Sequence, residues 1–193
     1  MCGMPIPAET HHEFVCETCL TDRPSFDRAR SALRYAYTAE ELVQSFKYRH
    51  AVQLAEDFGD ILEAALRTKF DYAAIDVVMP VPLHPHRLRE RGFNQSELLA
   101  ETVSRRIGRR LDARSLVRRR DTEHQARIGG QARRANLDAA FAVTSPEYVR
   151  GRTILLIDDV MTTGTTLSGC AKTLRDAGAA RIWCLTVARA IRN

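Results

Sequence analysis

The sequence contains no long apolar run. None of its hydrophobic stretches approaches the roughly 20 residues that a membrane-spanning helix needs. The first residues also lack the basic and then apolar layout of a secretory signal. We therefore expect no membrane insertion and a cytoplasmic location. With 193 residues and 45% hydrophobic content, the chain suffices for one α/β domain with a small appendage.

Cysteine is scarce as well. The chain has five cysteines, an odd count that argues against a disulfide framework in a cytoplasmic protein. Cys170 and Cys184 lie within apolar runs, which predicts that they are core residues. The other three are Cys2, Cys16 and Cys19, and the last two have the two-residue spacing of a zinc knuckle.

Lysine is rare, and arginine supplies nearly all of the positive charge. The net charge is +5, but residues 87–134 alone hold fourteen Arg and six acidic residues, which leaves the remainder of the chain acidic. Such a concentration predicts an anionic partner near this segment. Phosphate, pyrophosphate and nucleic acid all meet that description.

Strands and helices alternate along most of the chain. Apolar periodicity and turn residues predict helices over 39–47, 51–68, 94–108 and 164–177, and strands over 31–37, 75–79, 114–118, 153–157 and 182–187. Alternation of this kind is typical of an α/β fold, in which helices flank a mostly parallel sheet. The basic stretch 119–136 has no apolar stripe and is predicted to be a loop.

The strongest motif spans residues 154–166. Four apolar residues form a buried strand, Asp158 and Asp159 follow it, and a Thr/Gly-rich turn leads into a helix. The turn consists of Thr162, Thr163, Gly164, Thr165 and Thr166. Open α/β sheets bind ligands at this edge, where a glycine permits close approach and a helix N-terminus offers free N–H groups. The pattern favours a phosphate monoester on the turn and a sugar diol on the acids. The alternative is a capped junction with two solvated acids.

This motif resembles the ribose-phosphate motif of the type I phosphoribosyltransferases. The resemblance implies that Asp158 and Asp159 hold the ribose hydroxyls and that the turn holds the 5′-phosphate of phosphoribosyl pyrophosphate. The expected reaction displaces pyrophosphate from the anomeric carbon, with cationic help from Mg²⁺ and arginine. We therefore expect an enzyme of the glycosyltransferase class, acting in nucleotide or nucleoside metabolism.

Several other stretches narrow the resemblance. They are P-V-P-L-H at residues 80–84, R-L-R-E-R-G-F-N-Q at 87–95, Gln125, R-A-N at 134–136, Phe141 and C-E-T-C at 16–19. Together they look like the ComF family, the competence-associated phosphoribosyltransferase-like proteins of bacteria. The resemblance covers nearly the whole chain. It implies a type I phosphoribosyltransferase-like fold with a small N-terminal zinc-knuckle-like segment and a hood over the acceptor base.

The first of these stretches is predicted to bind pyrophosphate. Val81 and Pro82 form rigid backbone just past a strand end. Arg87 and Arg91 are four residues apart, so they lie on one face of the following helix if that helix begins before Arg87. Two guanidinium groups there would bind pyrophosphate oxygens in bidentate fashion. In the family this turn is the pyrophosphate loop. The alternative is a solvated face in which these arginines pair with glutamates.

The basic loop 119–136 is predicted to be a mobile lid over the pyrophosphate. It has little apolar surface to offset its ordering entropy. The loop follows the strand predicted over residues 114–118, which we expect to end at the ligand edge of the sheet. Several type I enzymes close a loop at this point in the chain, and Arg127 and Arg134 would then reach the leaving group. The alternative is a solvated or DNA-binding basic patch.

The N-terminal cysteines predict a structural Zn²⁺ site. Relatives in the family carry two cysteine pairs, and here Cys2 resembles the end of a C-x-x-C-G element whose other cysteine would precede the first residue. His11 or His12 would complete the ligand set of Cys2, Cys16 and Cys19. The alternatives are a redox pair and a remnant that binds nothing.

These observations predict two regions and two rival functions. Residues 1–27 form a truncated or degenerate cysteine segment, and residues 28–193 form the phosphoribosyltransferase-like domain, with hood elements mainly in 28–70. The first function is phosphoribosyl transfer. The alternative is a non-catalytic module in DNA uptake or processing that binds single-stranded DNA or competence-machinery proteins. A third possibility is a sensor of phosphoribosyl pyrophosphate without turnover. The paired aspartates favour the first function over a pure DNA binder.

Overall fold

A five-stranded parallel sheet forms the centre of the molecule. The computed structural model describes residues 1–4, 15–120 and 140–191. The strands are β1 (Arg28–Arg34), β2 (Val77–Pro80), β3 (Arg110–Leu111), β4 (Leu116–Arg118), β5 (Phe141–Val143), β6 (Thr153–Met161) and β7 (Arg181–Arg189). Five of them lie in the order β1-β7-β6-β2-β3, and every neighbouring pair is parallel. The predicted α/β fold with a parallel sheet is confirmed.

Helices cover both faces of the sheet. They are α1 (Glu17–Thr21), α2 (Thr38–Tyr48), α3 (Leu54–Lys69), α4 (Pro85–Arg91), α5 (Gln95–Ile107) and α6 (Thr165–Asp176). Two short 3₁₀ turns lie at Tyr72–Ala74 and Pro146–Tyr148. No helix in the described ranges is long and apolar enough to cross a membrane.

The central strand β6 joins two hydrophobic cores. Ile154 and Leu156 pack on the face with α6, whereas Leu155 and Ile157 pack on the face with α2, α3 and α5. Successive strand residues point to opposite faces, so a strand covered on both sides needs a continuous apolar run. This requirement explains why the sequence pattern predicted the strand so clearly.

Several strand boundaries differ from the prediction, and the largest differences are in β1 and β6. β1 begins at Arg28 rather than at residue 31, because its backbone already pairs with Trp183 of β7 there. β6 continues to Met161 rather than ending at residue 157, because β7 runs beside it as far as Arg189. In both cases pairing with the neighbouring strand sets the strand length. The added residues include charged side chains, so the hydrophobic pattern of the sequence does not reveal them as part of a strand.

The expectation that the strand at residues 114–118 ends at the ligand edge of the main sheet is wrong. β4 pairs antiparallel with β5 in a separate two-stranded sheet. The Arg119 N–H donates to the Ala140 carbonyl over 2.7 Å, so the two ends of the intervening segment meet. That segment lies outside the described residues and contains Gln125, Arg127 and Arg134, together with nearly all of the predicted lid.

Candidate functional site

Two adjacent carboxylates lie at the carboxyl end of β6. Asp158 and Asp159 were expected to follow the strand, but both belong to it. Their side chains reach different partners: Asp159 contacts Lys47 of α2, and Asp158 contacts Ser96 of α5. The two helices thus meet at the acid pair.

Lys47 forms an ion pair with Asp159. Its Nζ lies 2.8 Å from Asp159 Oδ1, and Asp159 is only 7% exposed. Burial by itself lowers the pKa of Lys47, but the attraction of Asp159 and then of Asp158 raises it above its ordinary value overall. The sequence pattern did not predict a role for this residue. The one signal was its rarity, since Lys47 is one of three lysines in a chain that otherwise uses arginine.

Asp158 titrates near neutrality. Its Oδ1 accepts hydrogen bonds from Ser96 Oγ at 2.8 Å and from the Asp159 N–H at 2.9 Å. Burial, followed by repulsion from Asp159, raises the pKa of Asp158 to about 7, although Lys47 and Ser96 oppose the shift. A carboxyl group in this environment accepts hydrogen bonds when charged and donates one when protonated.

The turn after β6 has the geometry of an anion-binding loop. Gly164 has φ +82°, a left-handed conformation that favours glycine, and a Cβ atom there would lie 2.6 Å from the side-chain tip of Met161. Thr162 and Thr163 are exposed, and α6 begins at Thr165. Thr163 Oγ1 lies 2.6 Å from Thr165 Oγ1, and the hydroxyl of Thr166 belongs to the same first turn. The first N–H groups of a helix have no intrahelical acceptor and attract anions.

The start of α5 connects this acid pair to the turn after β2. The Val81 N–H donates to the Ile157 carbonyl over 2.9 Å, which places Val81 and Pro82 beside the strand that carries the acids. Asn94 Nδ2 donates to the Val81 carbonyl over 3.1 Å, while Asn94 Oδ1 caps α5 by accepting from the Ser96 N–H. Since Ser96 also holds Asp158, one chain of hydrogen bonds spans both parts of the site.

Arg87 and Arg91 lie one turn apart on α4, as their spacing predicted. Arg87 lies 3.3 Å from Glu90, the kind of pairing that a solvated charged face would show. Arg91 instead donates to Gln95 and to the Tyr48 hydroxyl, each over 3.2 Å, and its guanidinium lies 5.0 Å from the Tyr48 ring centroid. Arg91 therefore fastens α4 to the end of α2.

The three N-terminal cysteines converge. The sulfur atoms of Cys2, Cys16 and Cys19 all lie within 4.8 Å of one another, and all three thiols are free. Gly3 has φ +68°, and a Cβ there would lie 2.6 Å from the Ala29 carbonyl oxygen, so glycine lets the first residues approach β1. Three sulfur donors at these separations could hold a metal ion, consistent with a zinc knuckle. His11 and His12, the predicted fourth ligands, lie outside the described residues.

Comparison with known structures identifies the fold. The chain resembles glutamine phosphoribosylpyrophosphate amidotransferase from Bacillus subtilis, with a TM-score of 0.50 and 17% identity over 75% of this chain and 30% of that one. A family model described as the phosphoribosyl transferase domain matches residues 94–192. The fold and the family match together show that the chain has a type I phosphoribosyltransferase-like fold.

Curated relatives narrow the class. The chain is 33% identical to the DNA utilization protein YhgH of Escherichia coli O6:H1 over 95% of this chain and 81% of the relative. It is 31% identical to competence protein F of Haemophilus influenzae over 98% of this chain and 83% of the relative. Competence protein ComFC of Bacillus subtilis is 28% identical over 93% of this chain and 72% of the relative. The chain belongs to the ComF family of phosphoribosyltransferase-like proteins.

Proposed function

We propose that the protein binds phosphoribosyl pyrophosphate with Mg²⁺ and transfers its phosphoribosyl group to an acceptor, with release of pyrophosphate. One observation carries the proposal: two adjacent aspartates lie near the carboxyl end of a buried strand, which leads into a turn with a positive-φ glycine at a helix N-terminus. Sugar diol and phosphate recognition are thereby combined within nine residues, 158–166. A phosphate site without a sugar has no need of the acid pair.

In this proposal Asp158 and Asp159 accept hydrogen bonds from the ribose hydroxyls, and residues 162–166 bind the 5′-phosphate. Positive charge develops on the ribose ring as pyrophosphate leaves, and nearby carboxylates stabilise it. Lys47 holds the Asp159 side chain in position through the ion pair. Because Lys47 lies on α2, the ion pair also supports the proposal that residues 28–70 supply the hood.

The leaving pyrophosphate lies, in this proposal, over the turn at Val81 and Pro82. Arg87 and Arg91 of α4 follow that turn, and Arg127 and Arg134 would approach with the lid. The carboxylate oxygens of the acid pair, which are hard donors, suit Mg²⁺. When bound, Mg²⁺ neutralises pyrophosphate charge.

Thermal melting tests ligand binding. Phosphoribosyl pyrophosphate with Mg²⁺ should raise the Tm by mass action, since a ligand at a hundred times its Kd stabilises a fold by about 2.7 kcal/mol. The double variant Asp158→Asn, Asp159→Asn should lose the shift, whereas Asp57→Asn on the exposed side of α3 should keep it. No shift in the wild type at millimolar ligand would remove the proposal. If phosphoribosyl pyrophosphate binds but no base causes release of pyrophosphate, the protein is a sensor of this ligand and not an enzyme.

The names of the relatives support a second candidate function, in DNA uptake or processing. Relatives called DNA utilization and competence proteins align over nearly the whole chain, and residues 87–134 are strongly basic. Binding of single-stranded DNA through this segment would be steeply salt-dependent. Amide hydrogen exchange separates the two uses of residues 119–136: a lid is protected by phosphoribosyl pyrophosphate, and a DNA-binding patch is protected by an oligonucleotide.

We also propose that Cys2, Cys16 and Cys19 hold a structural Zn²⁺ ion. Their sulfur atoms supply three of the four ligands that such sites use. Elemental analysis should find about one zinc per wild-type chain and much less in Cys16→Ser. Cys184→Ser, which alters a buried thiol of the central sheet, is the matched control and should retain the metal. Equal, negligible zinc in all three proteins would refute the site.

A further inference from the structure

Arg189 is a buried cation at the end of β7. It is only 5% exposed. Its Nη1 donates to the Cys2 carbonyl over 3.1 Å, and its Nη2 lies 3.7 Å from Cys2 Sγ. Nε is buried and finds no acceptor within the described residues. None of the ion pairs formed within the described ranges involves Arg189.

A buried guanidinium without a carboxylate is costly unless another negative charge faces it. The group within its reach is the cysteine cluster. Cysteines bind Zn²⁺ as thiolates, and three thiolates around Zn²⁺ leave one net negative charge when the fourth ligand is neutral. The single positive charge of Arg189 balances the single negative charge of the zinc-loaded site, whereas three neutral thiols would leave the arginine charge uncompensated.

We propose that Arg189 is a positioning residue of the zinc site: it donates an N–H to the Cys2 sulfur, fixes the Cys2 backbone and neutralises the zinc–thiolate group. This inference rests on the proposed zinc site. Hydrogen bonds from outer residues to ligand sulfurs orient the ligands and tune metal affinity. The guanidinium group of arginine is planar and holds its N–H donors in a fixed fork, so one arginine can donate to both the carbonyl oxygen and the sulfur of a single cysteine.

The same residue connects the zinc site to the phosphate-binding turn. Arg189 pairs with Met161, the last residue of β6, and the Ala190 N–H donates to the Met161 carbonyl over 3.0 Å. A cavity of about 240 Å³ is lined by Arg189 and Cys19 together with Thr163 and Gly164 of the turn. A loaded zinc site would therefore support the wall of the cavity beside the turn.

Zinc affinity of Arg189→Met tests the inference. Methionine roughly keeps the length and removes the charge and the donors. Competition with a chromophoric chelator should show Zn²⁺ bound roughly tenfold more weakly than in the wild type, since loss of an outer partner costs about 10–100-fold. Arg181→Met, on the same strand but exposed at its other end, should bind Zn²⁺ like the wild type. In Co²⁺-loaded protein, the sulfur-to-metal charge-transfer band should shift for Arg189→Met only.

Stability in the two metal states separates charge compensation from packing. In zinc-free protein Arg189→Met should be neutral or stabilising, because it removes an uncompensated buried charge. In zinc-loaded protein the same variant should be destabilised. A residue that only fills space would lower the stability of both states equally. Arg189→Lys, which keeps the charge but loses the fork, should fall between methionine and the wild type in zinc affinity.

The outcomes are distinguishable. If the wild type binds no Zn²⁺, the metal site itself is wrong and the role of Arg189 falls with it. If the wild type binds Zn²⁺ and Arg189→Met binds it equally well, the metal site stands and the role of Arg189 is refuted. Failure of zinc-free Arg189→Met to fold, while the zinc-free wild type folds, would also contradict the inference.

Discussion

The pH dependence of folding tests the environment of Asp158. Its pKa rises from an ordinary value of 3.8 to about 7 in the folded protein. Between these values the folded protein holds a proton that the unfolded chain has released, so the free energy of unfolding falls as the pH rises. Each pKa unit corresponds to about 1.36 kcal/mol, which sets an upper limit of about 4 kcal/mol for the loss. Asp158→Asn is neutral at every pH and lacks this loss.

Urea denaturation of both proteins between about pH 4 and pH 8 measures the effect. The free energy of unfolding of Asp158→Asn, relative to that of the wild type, should increase steadily toward pH 7 and then level off. Titrating groups remote from Asp158 cancel in this difference. Asp57→Asn, an exposed substitution on α3, should follow the wild-type pH profile. A pH-independent difference between Asp158→Asn and the wild type would show that the carboxyl group is not held in this environment.

Three further substitutions probe the site. Lys47→Met should cost about 3 kcal/mol in denaturation experiments, because it leaves a buried carboxylate unpaired, and adding Asp159→Asn should recover most of that loss; additive losses would argue against the ion pair. Gly164→Ala should cost more than Gly108→Ala, since both have positive φ but only Gly164 is crowded; equal losses would show that crowding is irrelevant. Ser96→Ala should cost about 1 kcal/mol above pH 7, where the carboxylate that Ser96 contacts is charged, and less in acid.

Much of the fold followed from local sequence pattern. The run at residues 154–157 is continuously apolar because its strand is covered on both faces. A run this short, stopped by two aspartates, fits a buried strand better than a helix. The turn that we propose binds phosphate was predictable because its requirements are local. Glycine at positive φ, hydroxyl groups and a helix start all lie within five consecutive residues.

The lengths and partners of the shorter elements did not follow from pattern. α4 was not predicted because its seven residues bury no side chain and so have no apolar period. β4 was assigned to the wrong sheet because its partner, β5, lies beyond the basic segment. Pairing between strands depends on backbone hydrogen bonds to a distant segment, which hydrophobic periodicity does not report.

The sequence by itself determined which reactive groups are present: paired aspartates before a threonine- and glycine-rich turn, three N-terminal cysteines and an arginine-rich middle segment. Tertiary structure alone decided how those groups are charged and held. Lys47 meets Asp159, and Arg189 meets Cys2, across most of the length of the chain. Burial and charged neighbours raise the pKa of Asp158, and burial leaves the positive charge of Arg189 without a carboxylate partner among the described residues. Both effects arise only when distant segments pack together.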